Sequence, residues 1–172
     1  MNKKTTFYLT IGFIFTIITS FFSAYAYFFS MENPLVGMFC PINSSPWETI
    51  KLIFFPSLFY IFLGWLFFRK KHPDFFHACF SGLLSGSFLF LPLFYTYSGI
   101  LGSCNLLLTI GALFVSAYLI YYFIYFFLQS HCRLLSFPVL VCLLVWVLVC
   151  FFSFTYQPPS LPLFTPILYR SM

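Results

Sequence analysis

The sequence predicts an all-α polytopic membrane helix bundle, and three observations carry that fold class. Hydrophobic residues fill 62% of the 172 positions and charged residues only 6%, which is too little polar surface to cover a soluble domain of this size. The apolar residues gather in five runs, each of about 18 residues or more and so able to cross a hydrocarbon core of roughly 30 Å. Lys3, Lys4, Arg69, Lys70, Lys71 and Arg133 all fall on one side of the membrane those runs imply. Backbone groups in lipid find no water to bond, so each run is expected to be a helix.

The first run, Phe7 to Phe29, follows Lys3 and Lys4. Its triplet Ala24-Tyr25-Ala26 also fits a signal-peptide cleavage site. Tyr27, Phe28 and Phe29 continue the apolar run past that site, which suits a retained helix better. The second run is Trp47 to Phe68. The third, Phe75 to Tyr95, places Ala78, Gly82 and Gly86 four residues apart with Ser81 and Ser85 beside them. That spacing makes one smooth face, and helices in lipid associate where small residues let backbones approach. Ala112 and Ser116 on the fourth run, Leu106 to Leu128, offer a matching surface, either inside one chain or in a homo- or hetero-oligomer through the third helix. Tyr118, Tyr121, Tyr122 and Tyr125 of the fourth run read as interfacial anchors and filler. The fifth run is Phe137 to Tyr156. The tail, 157–172, carries four prolines, is expected to run extended, and is apolar enough at Leu161, Leu163 and Phe164 to fold back on the outer mouth of the bundle. The whole chain, 1–172, reads as one integral membrane domain.

The basic side is expected to be cytoplasmic, which puts the N-terminus in and the C-terminus out, with the lipid bilayer as the main partner. The net charge of +5 then reads as topology and contact with anionic lipid. No basic recognition surface for nucleic acid is present. Six cysteines are scattered without a C-x-x-C pair, so no zinc ribbon or redox motif is indicated. Cys40 and Cys104 share the outer side, where a disulfide is the alternative to plain packing.

The stretch INSSPWETIKLIFFP, Ile42 to Pro56, holds Glu48 and Lys51 in an otherwise apolar region. Ser45 as N-cap, Pro46 at the first helical position and Glu48 three residues after the cap form a capping box. Lys51 shares a face with Glu48 and lies roughly 8 Å inside the helix start, shallow enough to snorkel back to water. On that reading the loss of charge in Glu48→Gln costs under about 1 kcal/mol, as for an interfacial pair. Pro56, however, leaves the carbonyl of Leu52 without its amide partner, and a charge inside a span marks a functional site by default. Asn43, Ser44, Ser45, Trp47, Glu48 and Lys51, with Tyr95 and Tyr97 approaching from the same side, therefore form a candidate polar site, with structural cap and functional site as its two readings.

On the other side, His72, Asp74 and His77, with His131 and Cys132, are of metal-ligating type but lack a diagnostic spacing, and Asp74 is more simply an N-cap. No metal or cofactor is expected. No phosphate loop, nucleophile elbow or H-E-x-x-H occurs.

NPLVGMFCPINSSPWETIKLIFFP (Asn33 to Pro56), FYTYSGILG (Phe94 to Gly102) and PPSLPLF (Pro158 to Phe164) together resemble an uncharacterised family of small bacterial integral membrane proteins. That family, a domain of unknown function common in low-GC Gram-positive bacteria, has a signature similar to P-V-N-E-S-x-W-E-H-x-K-L-L-F-x-P. Pro41, Asn43, Ser45, Trp47, Glu48, Lys51, Leu52, Phe54 and Pro56 match it. Ser44 and Thr49 replace its Glu and His, Ala24 and Phe28 stand where it carries a His and an acidic residue, and TPILYRSM replaces a D-P-x-T-G-x-Y-G-like end. The resemblance implies a fold, a topology and a bacterial inner-membrane location, but no activity. Three readings of function stay open: a small-molecule or ion permeation element or accessory membrane subunit, an intramembrane enzyme using Glu48, and a purely structural partner packing through Ala78, Gly82 and Gly86.

Overall fold

The computed structural model describes residues 3–68, 74–130 and 135–167. Arg69, Lys70, Lys71, His72, His131, Cys132, Arg133 and Arg170 lie outside the described residues. Among the described residues all regular structure is helical: α1 (Lys3–Phe29), α2 (Pro34–Phe39), α3 (Pro46–Phe68), α4 (Phe75–Phe88), α5 (Phe90–Leu101), α6 (Leu106–Ser130), α7 (Phe137–Tyr156) and a 3-10 turn at Pro162–Phe164. Among the described residues five spans are long and apolar enough to cross a membrane, with α4 and α5 together forming the third.

That third span departs from the single helix expected over Phe75 to Tyr95. It breaks at Leu89 and runs on to Leu101. Pro92 is the physical reason, since it offers no amide to the carbonyl of Phe88, four residues back. Gly102 ends the span with a left-handed φ of 62°, which glycine adopts without steric cost.

Between the first two spans lies α2, which is too short to register as an apolar run. The chain leaves α1 through Met31 and Glu32, both at positive φ (54° and 59°), and the amide of Glu32 reaches back to the carbonyl of Tyr27. Asn33 then caps α2, its side chain accepting from the amide of Leu35 at 3.0 Å. Pro34 follows at the first helical position, where a missing amide hydrogen costs nothing.

The core lies where α3, α4 and α6 meet, around Ile50, Phe54, Leu83, Ile120 and Ile124, all at 0% exposure. Ala78, Gly82 and Gly86 are buried there. A Cβ built on Gly82 would stand 2.7 Å from the Ile124 amide nitrogen, and one on Gly86 would stand 2.5 Å from Ile120 Cα. The small face of α4 is thus occupied by the backbone of α6 in the same chain. α1 and α7 form the edges and turn Phe21, Phe22, Phe28, Val145, Trp146 and Val149 outward.

The tail is not uniformly extended. Pro162 opens one 3-10 turn, again at a position needing no amide hydrogen. The turn buries Phe164 against Trp47 and Phe154, with ring centroids 5.4 and 5.2 Å apart. Ser44 Oγ donates to the carbonyl of Ile167 at 3.1 Å.

Candidate functional site

Glu48 and Lys51 are buried, at 2% and 0% exposure. This corrects the expectation that Lys51 snorkels to water. The lysine Nζ lies 2.8 Å from Glu48 Oε2 and 3.1 Å from the carbonyl of Gly37, and its third donor goes to Thr155 Oγ1. An ammonium has three donors, and here all three are used. The Gly37 carbonyl belongs to the last turn of α2, where helix carbonyls lack intrahelical partners. Lys51 therefore caps one helix while standing in another.

The carboxylate is equally engaged. Its Oε2 also accepts from the amide of Ile42 at 3.1 Å, and its Oε1 lies 3.2 Å from the Thr155 hydroxyl. Thr155 Oγ1 is also 2.6 Å from the carbonyl of Phe151 on its own helix, so its single proton is shared between two acceptors. The pair joins four segments: α2, the α2–α3 loop, α3 and α7. Burial removes water from both charges, and this set of bonds replaces it.

The capping box is half formed. Ser45 Oγ accepts from the amide of Glu48 at 3.3 Å, but the Ser45 amide bonds Asn43 Oδ1 at 2.9 Å rather than the Glu48 side chain. Asn43 thus takes over the second half of the cap from an exposed position, and Glu48 is released to hold Lys51. Trp47 lies buried beside the pair, its ring against Phe151 at 4.9 Å and Phe164 at 5.4 Å.

Tyr95 and Tyr97 do not join this cluster. Tyr95 is exposed on α5, and the Tyr97 hydroxyl pairs with Thr109 at 2.5 Å in the α5–α6 contact. The partners that complete the site, Gly37, Ile42 and Thr155, were not singled out in the sequence. Gly37 and Ile42 contribute only backbone groups, which leave no trace in residue type. Thr155 is one hydroxyl in an apolar run, legible only once α7 is known to pass α3.

A second polar cluster lies midway along the spans. Thr16 Oγ1 is 2.7 Å from the Tyr121 hydroxyl and 3.1 Å from Ser57 Oγ, tying α1, α3 and α6 together. Tyr121 is 5% exposed, a bonded core residue and not an interfacial anchor. Toward the α2 end, the single proton of Ser20 Oγ is shared between the carbonyl of Thr16 on its own helix, at 2.6 Å, and the carbonyl of Leu52, the one freed by Pro56. Toward the opposite end, Tyr8 and Tyr60 each donate to the other's backbone carbonyl at 2.8 Å, with rings stacked at 4.6 Å.

The remaining candidates are dispersed. His77 Nε2 meets the carbonyl of Leu135, and Asp74 occupies the N-cap position of α4 without a capping hydrogen bond from its side chain. Cys40 and Cys104 are free thiols. Among the described residues, no group of three or more His, Cys, Asp or Glu side chains is placed to hold a metal ion.

No curated protein and no solved structure matches the chain. One family model does match, over residues 1–169, and by that match the chain belongs to the family of unknown function DUF6512.

Proposed function

We infer that this protein is a non-catalytic accessory subunit of a cell membrane, with five spans and its Lys- and Arg-rich loop side facing the cytoplasm. The observation that carries this reading is that both side chains are buried, with all three Lys51 donors used and both Glu48 oxygens engaged. An acid or base needs a proton position open to substrate, and a permeation site needs a polar group that can exchange its ligands. Either role would require one of these bonds to break. The arrangement instead suits a staple that fixes α2 and α7 against α3.

The test replaces the pair as a unit. Glu48→Leu combined with Lys51→Met removes both charges and keeps the volume, an exchange that is often neutral or stabilising for a buried ion pair. The double variant is expected to fold and to restore whatever phenotype deletion of the protein produces. A folded double variant that fails to restore it would assign chemistry to the pair and overturn the accessory reading.

A further inference from the structure

Across the face of α3, with α1 on one side and Phe76 and Phe80 of α4 and Leu144 of α7 on the other, runs a groove of about 630 Å³ whose lining is almost entirely apolar. Its size lies within the range of ligand pockets, roughly 300 to 1,000 Å³. Pro56 and Phe59 of α3 form part of its floor. On the α1 side it extends from Phe15 to Ser23, roughly 12 Å at 1.5 Å per residue. Phe39 and Cys40, at the end of α2, close the top, so α2 roofs the groove.

The few hydroxyls along the groove have their protons committed to the protein and keep only acceptor lone pairs. Thr19 Oγ1 donates to carbonyls of its own helix, and Ser23 Oγ is turned to Cys40 Sγ at 3.3 Å. A sugar, nucleotide or ion would lose its water here for at most two hydroxyl acceptors among apolar side chains. Phe59 and Phe62, at 57% and 55% exposure, leave the groove open sideways along the spans. Its length approaches one leaflet, about half of a 30 Å hydrocarbon core. We propose that this groove holds one acyl chain of a bilayer phospholipid, lying along α3 beneath α2. This rests on the membrane reading above, but not on the absence of catalysis.

The roof connects the groove to the buried pair. Lys51 bonds Gly37 in α2, and the Tyr156 hydroxyl of α7 bonds the carbonyl of Pro34. These two contacts hold α2 in place over the groove, and an acyl chain beneath it would fill the space between α1 and the wall made by Phe76, Phe80 and Leu144.

The experiment uses full-length protein, purified in mild detergent from vesicles of phosphatidylglycerol and phosphatidylethanolamine and examined by native mass spectrometry. The wild type is expected to retain one phospholipid per chain. Thr19→Phe fills the groove without removing a bond between helices and is expected to cut that retained fraction at least fivefold. Val115→Phe, on an exposed face of α6, is expected to leave it unchanged. Circular dichroism and the melting temperature confirm that each variant is folded. If Thr19→Phe unfolds the protein, Ser23→Leu tests the same groove. Equal retention by wild type and folded groove variants, no retained lipid in the wild type, or retention of a free fatty acid in place of a phospholipid would each overturn the proposal. Failure of the double-charge variant to restore function would leave these outcomes unaffected, so the two readings fail separately.

Discussion

The Glu48–Lys51 cluster and the Thr16–Ser57–Tyr121 cluster solve the same problem, polar groups inside apolar helices, at very different expense in partners. The charged pair sits at the start of α3 and recruits two backbone groups and a threonine from three other segments. The hydroxyl cluster sits midway along the spans and needs only its three members. A hydroxyl both donates and accepts, so three of them satisfy one another. An ammonium only donates and a carboxylate only accepts, so beyond the one bond they share each must be supplied from outside. The two charged groups therefore tie together four segments where the three hydroxyls tie three.

The sharpest way to break this comparison is to remove one charge. Glu48→Gln is expected to destabilise the protein by about 3 to 5 kcal/mol, because it strands Lys51 without a counter-charge in a buried site. The surface-like cost under about 1 kcal/mol, expected from sequence for an interfacial pair, does not apply to two side chains this buried. Reversible unfolding in detergent micelles measures the difference; a loss near 1 kcal/mol would show that water reaches the pair.

A smaller effect is expected for Ser20→Ala, which leaves the Leu52 carbonyl without a donor. One unmet buried acceptor costs about 1 to 3 kcal/mol, and the low end applies to this part-buried carbonyl, which shares the Ser20 proton with Thr16. The same substitution combined with Pro56→Ala should recover most of that loss, since the restored amide bonds Leu52 within the helix. Failure to recover would mean that Ser20 matters through packing and not through its hydroxyl. Thr16→Val is expected to cost least, about 0.6 to 1.7 kcal/mol, the range for hydrogen bonds between membrane helices. A Thr16→Val loss equal to that of Glu48→Gln would erase the distinction between the clusters.

The same contrast explains what could be read from the chain. Runs of apolar residues announce spans through composition alone, and the fifth run, Phe137 to Tyr156, coincides with α7. Glu48 and Lys51 stood out because charges are rare here. Their depth did not, because it depends on α2 and α7 closing over them from positions distant in sequence. Thr16, Ser57 and Tyr121 were illegible as a set: hydroxyls are common in spans, and only the packing of α1, α3 and α6 brings these three together. The break at Leu89 had its signal in Pro92, outweighed by the unbroken apolar pattern around it.

Thr155 stands 107 residues after Glu48 and 104 after Lys51. At a synthesis rate of about 5 to 20 residues per second, that separation is a delay of roughly 5 to 20 s. Through that interval the nascent chain already holds its acidic and basic side chains near the mouth of α3, with the last bond of the set not yet made. α7 thus supplies the last side-chain bonds of the set. A ribosome that stalls or terminates before residue 155 is expected to leave the ammonium with one donor, and the carboxylate with one oxygen, still to be served, a chemical mark of an unfinished chain.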